Sequence, residues 1–355
     1  MSTVFHLNNE NISVRRPHRQ LPKNPHFALV AEGGGQRGIF TAGILDAFLA
    51  RDFSPFDTLV GTSAGAQNVT SYFLKQAGFA RKSIYELSTH KEFFKPRNIF
   101  SDDHSMDLDW FFDNAQQESK NSLGLPIKQL NNIRPGQLLI VASDIDNKET
   151  LTLCPTERNI FHLLKASSAI PFLYKSGVKY QGRTLVDGGL TAPIPLQQAF
   201  DRHANIVVVI RTVPSNKESE SLWKQKASDS IKDLLPENLG DSFSNAVSEH
   251  LHLLPNIIKE KIDSAKMINP VQAFYDRNPQ YKAMYDLMKL HDSRYDETLA
   301  LINQPPEGKI VIEIAPAEAL DSRSLASSTK ALEQDYQLGL ETGHYFLDNF
   351  AHFFR

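Results

Sequence analysis

Short apolar runs alternate with stretches of helical spacing along most of this chain, and that alternation constrains the fold more than any other feature of the sequence. FALVA (Phe27 to Ala31) ends in a Gly-rich turn, and Ile39 to Arg51 follows with Ile44, Leu45, Phe48 and Leu49 at helical spacing. A strand, a turn and a helix in that order make a β-loop-α unit. DTLVG (Asp57 to Gly61) predicts a second buried strand, with a small-residue turn and a helix toward Ala77 behind it. QLLIVASD (Gln137 to Asp144), TLTLC (Thr150 to Cys154) and TLVDGG read as further strands, and Asn159 to Ala169 as a helix stopped by Pro171. Leu196 to His203 is helical, and NIVVVIR (Asn205 to Arg211) has the β-branched density of a central strand. Strands that alternate with helices need crossover connections, so the expected fold is α/β, with a mainly parallel central sheet covered on both faces.

The alternation stops after Ser215. Polar, helical text runs to Pro306, with Trp223, Ile231, Leu234 and Leu235 on one helical face. GKIVIEIAP (Gly308 to Pro316) then gives one more strand, and Ser328 to Phe350 a long final helix. The expected organisation is a basic N-terminal arm over 1–25, an α/β core over 26–214, a helical insertion over 215–306, and a final strand and helix over 307–355 that complete the core.

Charge and cysteine content narrow the function classes. With 38 basic and 41 acidic residues the net charge is -3, too balanced for an obligate nucleic-acid binder. A single cysteine, Cys154, excludes an intrachain disulfide and a metal site of paired thiolates, and favours a reducing compartment. It reads as a small buried residue. The first 25 residues lack the apolar core of a secretory signal, and the longest apolar stretches span about five residues against the roughly 20 of a membrane helix. The acidic groups Asp102-Asp103-His104, Asp107 with Asp109, and Asp144 with Asp146 lack the spacing of a calcium loop and read as loop and cap residues. No metal and no cofactor are expected.

Three short motifs carry chemistry. Gly33-Gly34-Gly35-Gln36-Arg37-Gly38 stands where a strand ends and a helix begins, so its amides form an anion site at the helix N-terminus. A dinucleotide site would want an acid at the end of the next strand. That strand ends in Gly61-Thr62-Ser63, with its only acid, Asp57, at the start. Gly61-Thr62-Ser63-Ala64-Gly65 has the small flanking residues of a nucleophile elbow, where the chain turns too sharply for larger side chains. His203, His250, His252, His291 and His344 follow it, but none has a Gly-flanked or strand-end setting, and each reads as an ordinary core or surface histidine. Asp187-Gly188-Gly189, at a strand terminus, is placed to face a serine at the same sheet edge; a plain Asp-Gly turn is the other reading.

Taken jointly, these motifs resemble those of the patatin-like phospholipase family: Gly-Gly-Gly-x-Arg-Gly at Gly33 to Gly38, Gly-x-Ser-x-Gly at Gly61 to Gly65, and Asp-Gly-Gly at Asp187 to Gly189. A fourth block, Ala166-Ser167-Ser168-Ala169-Ile170-Pro171, is similar to the family's Ala-Ser-x-Ala-x-Pro. The bacterial cytosolic members are the nearest in character, and Glu32 stands where many members carry Asp. The resemblance implies a three-layer sandwich and a Ser–Asp dyad, with Ser63 as nucleophile, Asp187 as general base and no histidine. It implies an oxyanion hole in the Gly33–Gly38 loop, chiefly at Gly34 and Gly35, with Arg37 stabilising the loop or adding positive potential.

The activity implied is hydrolysis of lipid carboxylic esters, of phospholipase A or lysophospholipase type, with a neutral lipid esterase, a thioesterase and a non-catalytic lipid-binding protein as alternatives. The substrate would be a phospholipid or another lipid ester. The expected location is the cytoplasm, with peripheral contact at the inner membrane face. Two segments are candidates for that contact: the basic arm with Arg15, Arg16, Arg19 and Lys23, and the helical stretch Leu222 to Leu235, whose apolar face alternatively packs on the sheet.

Overall fold

The structure is a computed structural model that describes residues 3–6, 22, 24–95, 98, 103–116, 124–134, 136–171, 173–215 and 279–354. The basic-arm residues Arg15, Arg16, Arg19 and Lys23, the stretch Leu222 to Leu235 with Trp223, and Asp102, His250 and His252 lie outside the described residues.

Among the described residues the alternation of the sequence becomes a nine-stranded sheet. In chain order its elements are β1 (Thr3–His6), β2 (Phe27–Ala31), α1 (Gly38–Ala50), β3 (Thr58–Thr62), α2 (Ala64–Phe73), α3 (Phe79–Lys82), α4 (Leu108–Gln116), β4 (Leu138–Asp144), β5 (Glu149–Leu153), α5 (Ile160–Ser167), β6 (Val178–Tyr180), β7 (Arg183–Asp187), α6 (Leu196–Phe200), β8 (Ile206–Ile210), α7 (Pro279–Asn303), β9 (Ile310–Ala315) and α8 (Thr329–Phe350). The strand order is β1-β9-β8-β2-β3-β4-β7-β6, with β5 paired to β4. From β1 to β4 every pairing is parallel.

The expected parallel sheet therefore holds, with an antiparallel end. The reason is connection length. Ile145 to Lys148 joins β4 to β5, and Gln181-Gly182 joins β6 to β7, loops too short for a parallel crossover. Gln181 and Gly182 both have positive φ, 49° and 79°, as a two-residue hairpin turn requires.

Successive strand residues point to opposite faces, and both faces are buried. Leu29, Leu59, Leu138, Ile140, Val208 and Ile312 join one core, roofed by Phe40, Ile44 and Phe48 of α1 and Phe346 and Phe350 of α8. Ala28, Val30, Val60, Leu139, Val207, Val209 and Val311 form the other, under Leu196, Ala199 and Phe200 of α6 and Tyr295, Leu299 and Ile302 of α7. The second face is thus completed by a helix from the C-terminal part of the chain. Among the described residues no helix is long and apolar enough to cross a membrane. Cys154 is exposed, which corrects the expectation of a small buried residue. It follows the last residue of β5, a strand with partly exposed residues that lies outside the main path of the sheet.

Candidate active site

The sheet brings Ser63 and Asp187 together through β4. β5 occupies one edge of that strand, so β3 and β7 share the other: β3 runs parallel and ends with Thr62 opposite Val141, while β7 runs antiparallel and ends with Asp187 opposite Ala142. Two strands therefore meet with their C-terminal tips facing across a single peptide of β4. The sequence suggests an acid at the same sheet edge as the serine; the reversed direction of β7 is not visible in TLVDGG.

Ser63 sits at this junction with φ 53° and ψ -123°, a conformation that L-residues rarely hold without surrounding constraint. Small neighbours make it possible. A Cβ on Gly65 would collide with the carbonyl oxygens of Ala31 and Glu32. Ser167 then pins the turn from the fourth motif block: its Oγ accepts the Ser63 N–H at 2.8 Å and donates to the Val141 carbonyl. Two residues on, the Ala169 carbonyl accepts the Asp187 N–H at 2.9 Å. The block Ala166 to Pro171 is thus the brace that holds serine and aspartate strand ends in register, a role that its sequence does not reveal.

Asp187 is almost fully buried. Burial pushes its carboxyl up to about 6, against the opposing pull of hydrogen bonds from the Gly189 N–H and the Ser63 hydroxyl. The Gly189 bond is 2.7 Å, and Ser143 Oγ holds the Asp187 carbonyl at 2.8 Å.

The Gly loop faces the same point, but its amides are not equivalent. Gly33 donates to the Pro193 carbonyl at 3.1 Å, Gln36 to Ser324 at 2.9 Å, and Arg37 to Gly34 at 3.2 Å. The Gly33, Gln36 and Arg37 amides are thus engaged, and Gly34 and Gly35, the chief donors that the resemblance implies, are the loop amides without an acceptor among the described residues. The Arg37 guanidinium is buried and its Nη1 donates to Ser324 Oγ at 2.8 Å. Burial lowers its pKa to about 10, with Glu32 and Tyr295 pulling the other way. Gly38 opens α1, and Gly61, Gly188 and Gly189 flank the two strand tips.

Gly35 has φ +58°, and a Cβ there would collide with the Ser324 carbonyl. Gly35→Ala is accordingly expected to lower stability by about 1–3 kcal/mol as well as activity. An unchanged thermal unfolding midpoint would show that the Ser324 loop gives way instead.

Ser63 stands between two unlike spaces. A narrow cavity of ≈ 60 Å³ is walled by apolar side chains that include Phe79, Ile84, Phe93, Met106, Phe111 and Leu325. A wider one of ≈ 460 Å³ carries the polar groups Glu32, Arg37, Asp187, His291, Tyr295 and Asp296. Gly35, Ser63, Ile170 and Ser324 line both.

His291 overturns its reading as an ordinary core or surface histidine. It reaches the cavity on α7, with Nδ1 at 2.6 Å from the Gly189 carbonyl. A carbonyl only accepts, so Nδ1 is the protonated nitrogen. Tyr295, one turn farther along α7, donates to Glu32 Oε1 at 2.9 Å. No local pattern marks either residue, because both act through the packing of a helix about 100 residues after the acid turn. Glu32 is buried, and its other oxygen accepts the Thr212 N–H, so the residue at this departure from the family pattern anchors the loop. The acidic groups have structural partners: Asp144 accepts from Arg183 and Asn147, and Asp109 from Lys165 and Tyr174.

Sheet and site together define a mixed α/β protein with a strand–serine–helix turn closed by an acid from a neighbouring strand. Residues 29–200 match the patatin-like phospholipase family. Residues 281–355 match a domain of unknown function, DUF6363. The chain is 32% identical over 321 residues to the uncharacterized protein YjjU of Escherichia coli strain K12, an alignment that covers 90% of this chain and 77% of that protein. The chain belongs to the patatin-like phospholipase family, a family of lipid acyl hydrolases. Among solved structures it is similar to the crystal structure of VipD from Legionella pneumophila, with a TM-score of 0.36 and 12% identity over 92% of this chain and 67% of that one.

Proposed function

We propose that the protein is a serine acyl hydrolase of lipid carboxylic esters that works through a Ser63–Asp187 dyad. The observation that carries this reading is the placement of Ser63: a positive-φ elbow residue beside a buried carboxyl, at the meeting of an apolar and a polar cavity. Asp187 takes the Ser63 proton as Oγ attacks the ester carbonyl. The amides of Gly34 and Gly35 face the developing oxyanion. Collapse expels the alcohol, which leaves with the proton held by Asp187, and the acyl group stays on Ser63. Water then attacks, Asp187 accepts its proton, and release of the fatty acid returns that proton to Ser63 Oγ.

The two cavities suit the two parts of such a substrate. Apolar side chains around Phe93, Met106 and Phe111 fit an acyl chain, and the wider polar space fits the alcohol or head group of a phospholipid or lysophospholipid. A protein of this kind works at a lipid surface, which supports a peripheral membrane location.

A non-catalytic lipid-binding protein would need neither a strained serine nor an acid beside it. The test is labelling of the purified chain with a serine-directed fluorophosphonate. Expected is one label on wild type and none on Ser63→Ala. Equal labelling of both would sink the assignment of the nucleophile.

A further inference from the structure

The region that matches a domain of unknown function reaches both halves of the site. From α7, His291 holds the Gly189 carbonyl, and the N–H of that same residue holds Asp187. One turn on, Tyr295 holds Glu32, the residue before the Gly loop. The two side chains are four residues apart, so they share one face of the helix. The Ser324 carbonyl and hydroxyl meet Gln36 and Arg37, and the Ser327 N–H donates to Gln36 Oε1 at 2.7 Å. The acid turn and the Gly loop lie after different strands, and the described structure joins both to one helix.

We propose that His291 and Tyr295 are positioning residues of the acyl-hydrolase site, setting the acid turn against the Gly loop from a single face of α7. The C-terminal region is then an integral half of the catalytic unit. This rests on the Ser63–Asp187 reading and adds to it: acyl transfer needs the base on one side of Ser63 and the oxyanion donors on the other, and a small error in their spacing slows the reaction. His291 acts through Gly189, with Nδ1–H as the working group. Tyr295 acts through Glu32. Around Asp187 the cavity also carries Glu32, Arg37 and Asp296, so these groups set the background charge against which any pH profile is read.

The experiment uses the full chain and p-nitrophenyl butyrate, with Ser63→Ala, His291→Leu, His291→Asn and Tyr295→Phe. Asn places a side-chain N–H near the position of imidazole Nδ1 but has no ring. His291→Leu is expected to lower kcat by about ten- to a hundredfold with KM within about twofold, and His291→Asn to recover most of the loss. The acid limb of kcat should move to higher pH in His291→Leu, because a looser Gly189 N–H holds the ionised Asp187 less well. Tyr295→Phe should lower kcat without that shift; where it fails to fold, the two His291 variants decide.

Wild-type kcat and pH profile in His291→Leu would overturn the proposal. So would equal losses in Leu and Asn variants with unchanged unfolding midpoints, which would move the function of His291 to its ring. Undiminished hydrolysis by Ser63→Ala overturns both the dyad and the clamp, whereas loss there with a fully active His291→Leu overturns the clamp alone.

Discussion

Asp187→Asn should abolish hydrolysis at neutral pH and, at the same time, make the protein harder to unfold. The two effects have one cause. Asp187 is held in a buried position where its carboxyl is pushed up to about 6 from an ordinary 3.8, so at neutral pH it is ionised at a cost to the fold. The sign follows from linkage. Between those two values the folded chain binds the proton more tightly than the unfolded chain, so the contribution of this group to stability falls as pH rises from about 4 to about 6 and stays low above. The upward shift corresponds to about 3 kcal/mol. Asn keeps an oxygen for the Gly189 N–H and carries no charge, so Asp187→Asn should gain part of that amount at neutral pH and none below about pH 4.

Activity moves the other way. The base must be ionised to accept the Ser63 proton, and kcat/KM should fall as pH drops through about 6. Ser63→Ala, Asp187→Asn and the double variant should each lose about 10⁴-fold or more in kcat, with the double no worse than the singles, because groups that act on one proton transfer fail together. Near-normal turnover by Asp187→Asn would remove Asp187 from the reaction. An unfolding midpoint below that of wild type at neutral pH would mean that the carboxylate stabilises its turn.

How much of this could be read from the residues differs by element. Strands β2, β3, β4 and β8 were legible because both faces of each are buried and their apolar runs are nearly continuous, as in IVVVI of β8. Ser63 was legible because a sharp turn demands small residues at fixed spacing, a local requirement. Asp187 stood out as an acid before two glycines, yet its meeting with Ser63 depends on β7 running backwards along β4, a pairing of strands that β5, α5 and β6 separate in sequence, and on Ser167 and Ala169 bracing the strand tips. β1 and β6, each under five residues, have too little sequence to carry a period. His291 and Tyr295 were hidden for a different reason: on a polar helix an occasional ring has many uses, and only tertiary packing shows that these two point at the site.

Glu313→Ala should destabilise the fold by about 3–5 kcal/mol. Glu313 lies within β9 and Arg211 directly after the neighbouring β8, with side chains 3% and 1% exposed, and the ion pair between them is 2.7 Å. From Arg211 the network continues: Nη2 donates to Tyr295 at 2.7 Å, and Tyr295 donates to Glu32. Burial lowers the pKa of the Arg211 guanidinium, but Tyr295, Glu32 and Glu313 outweigh that and raise it; a guanidinium keeps its charge in a protein interior. Glu313→Ala would strand that charge among apolar strands. Arg211→Met should also destabilise, since Glu313 would lose the cation that stands at ion-pair distance from it among the described residues. Replacing both, with Arg211→Met and Glu313→Leu together, should cost less than either single change, because no isolated charge is left and Glu32 keeps Thr212 and Tyr295. Urea unfolding of the two singles and the double gives the coupling directly. Additive losses would show that the pair is replaceable packing, whereas strong coupling would place the link between α7, β8 and the Gly loop in one buried network, so that the helix holding the site is itself held by charge.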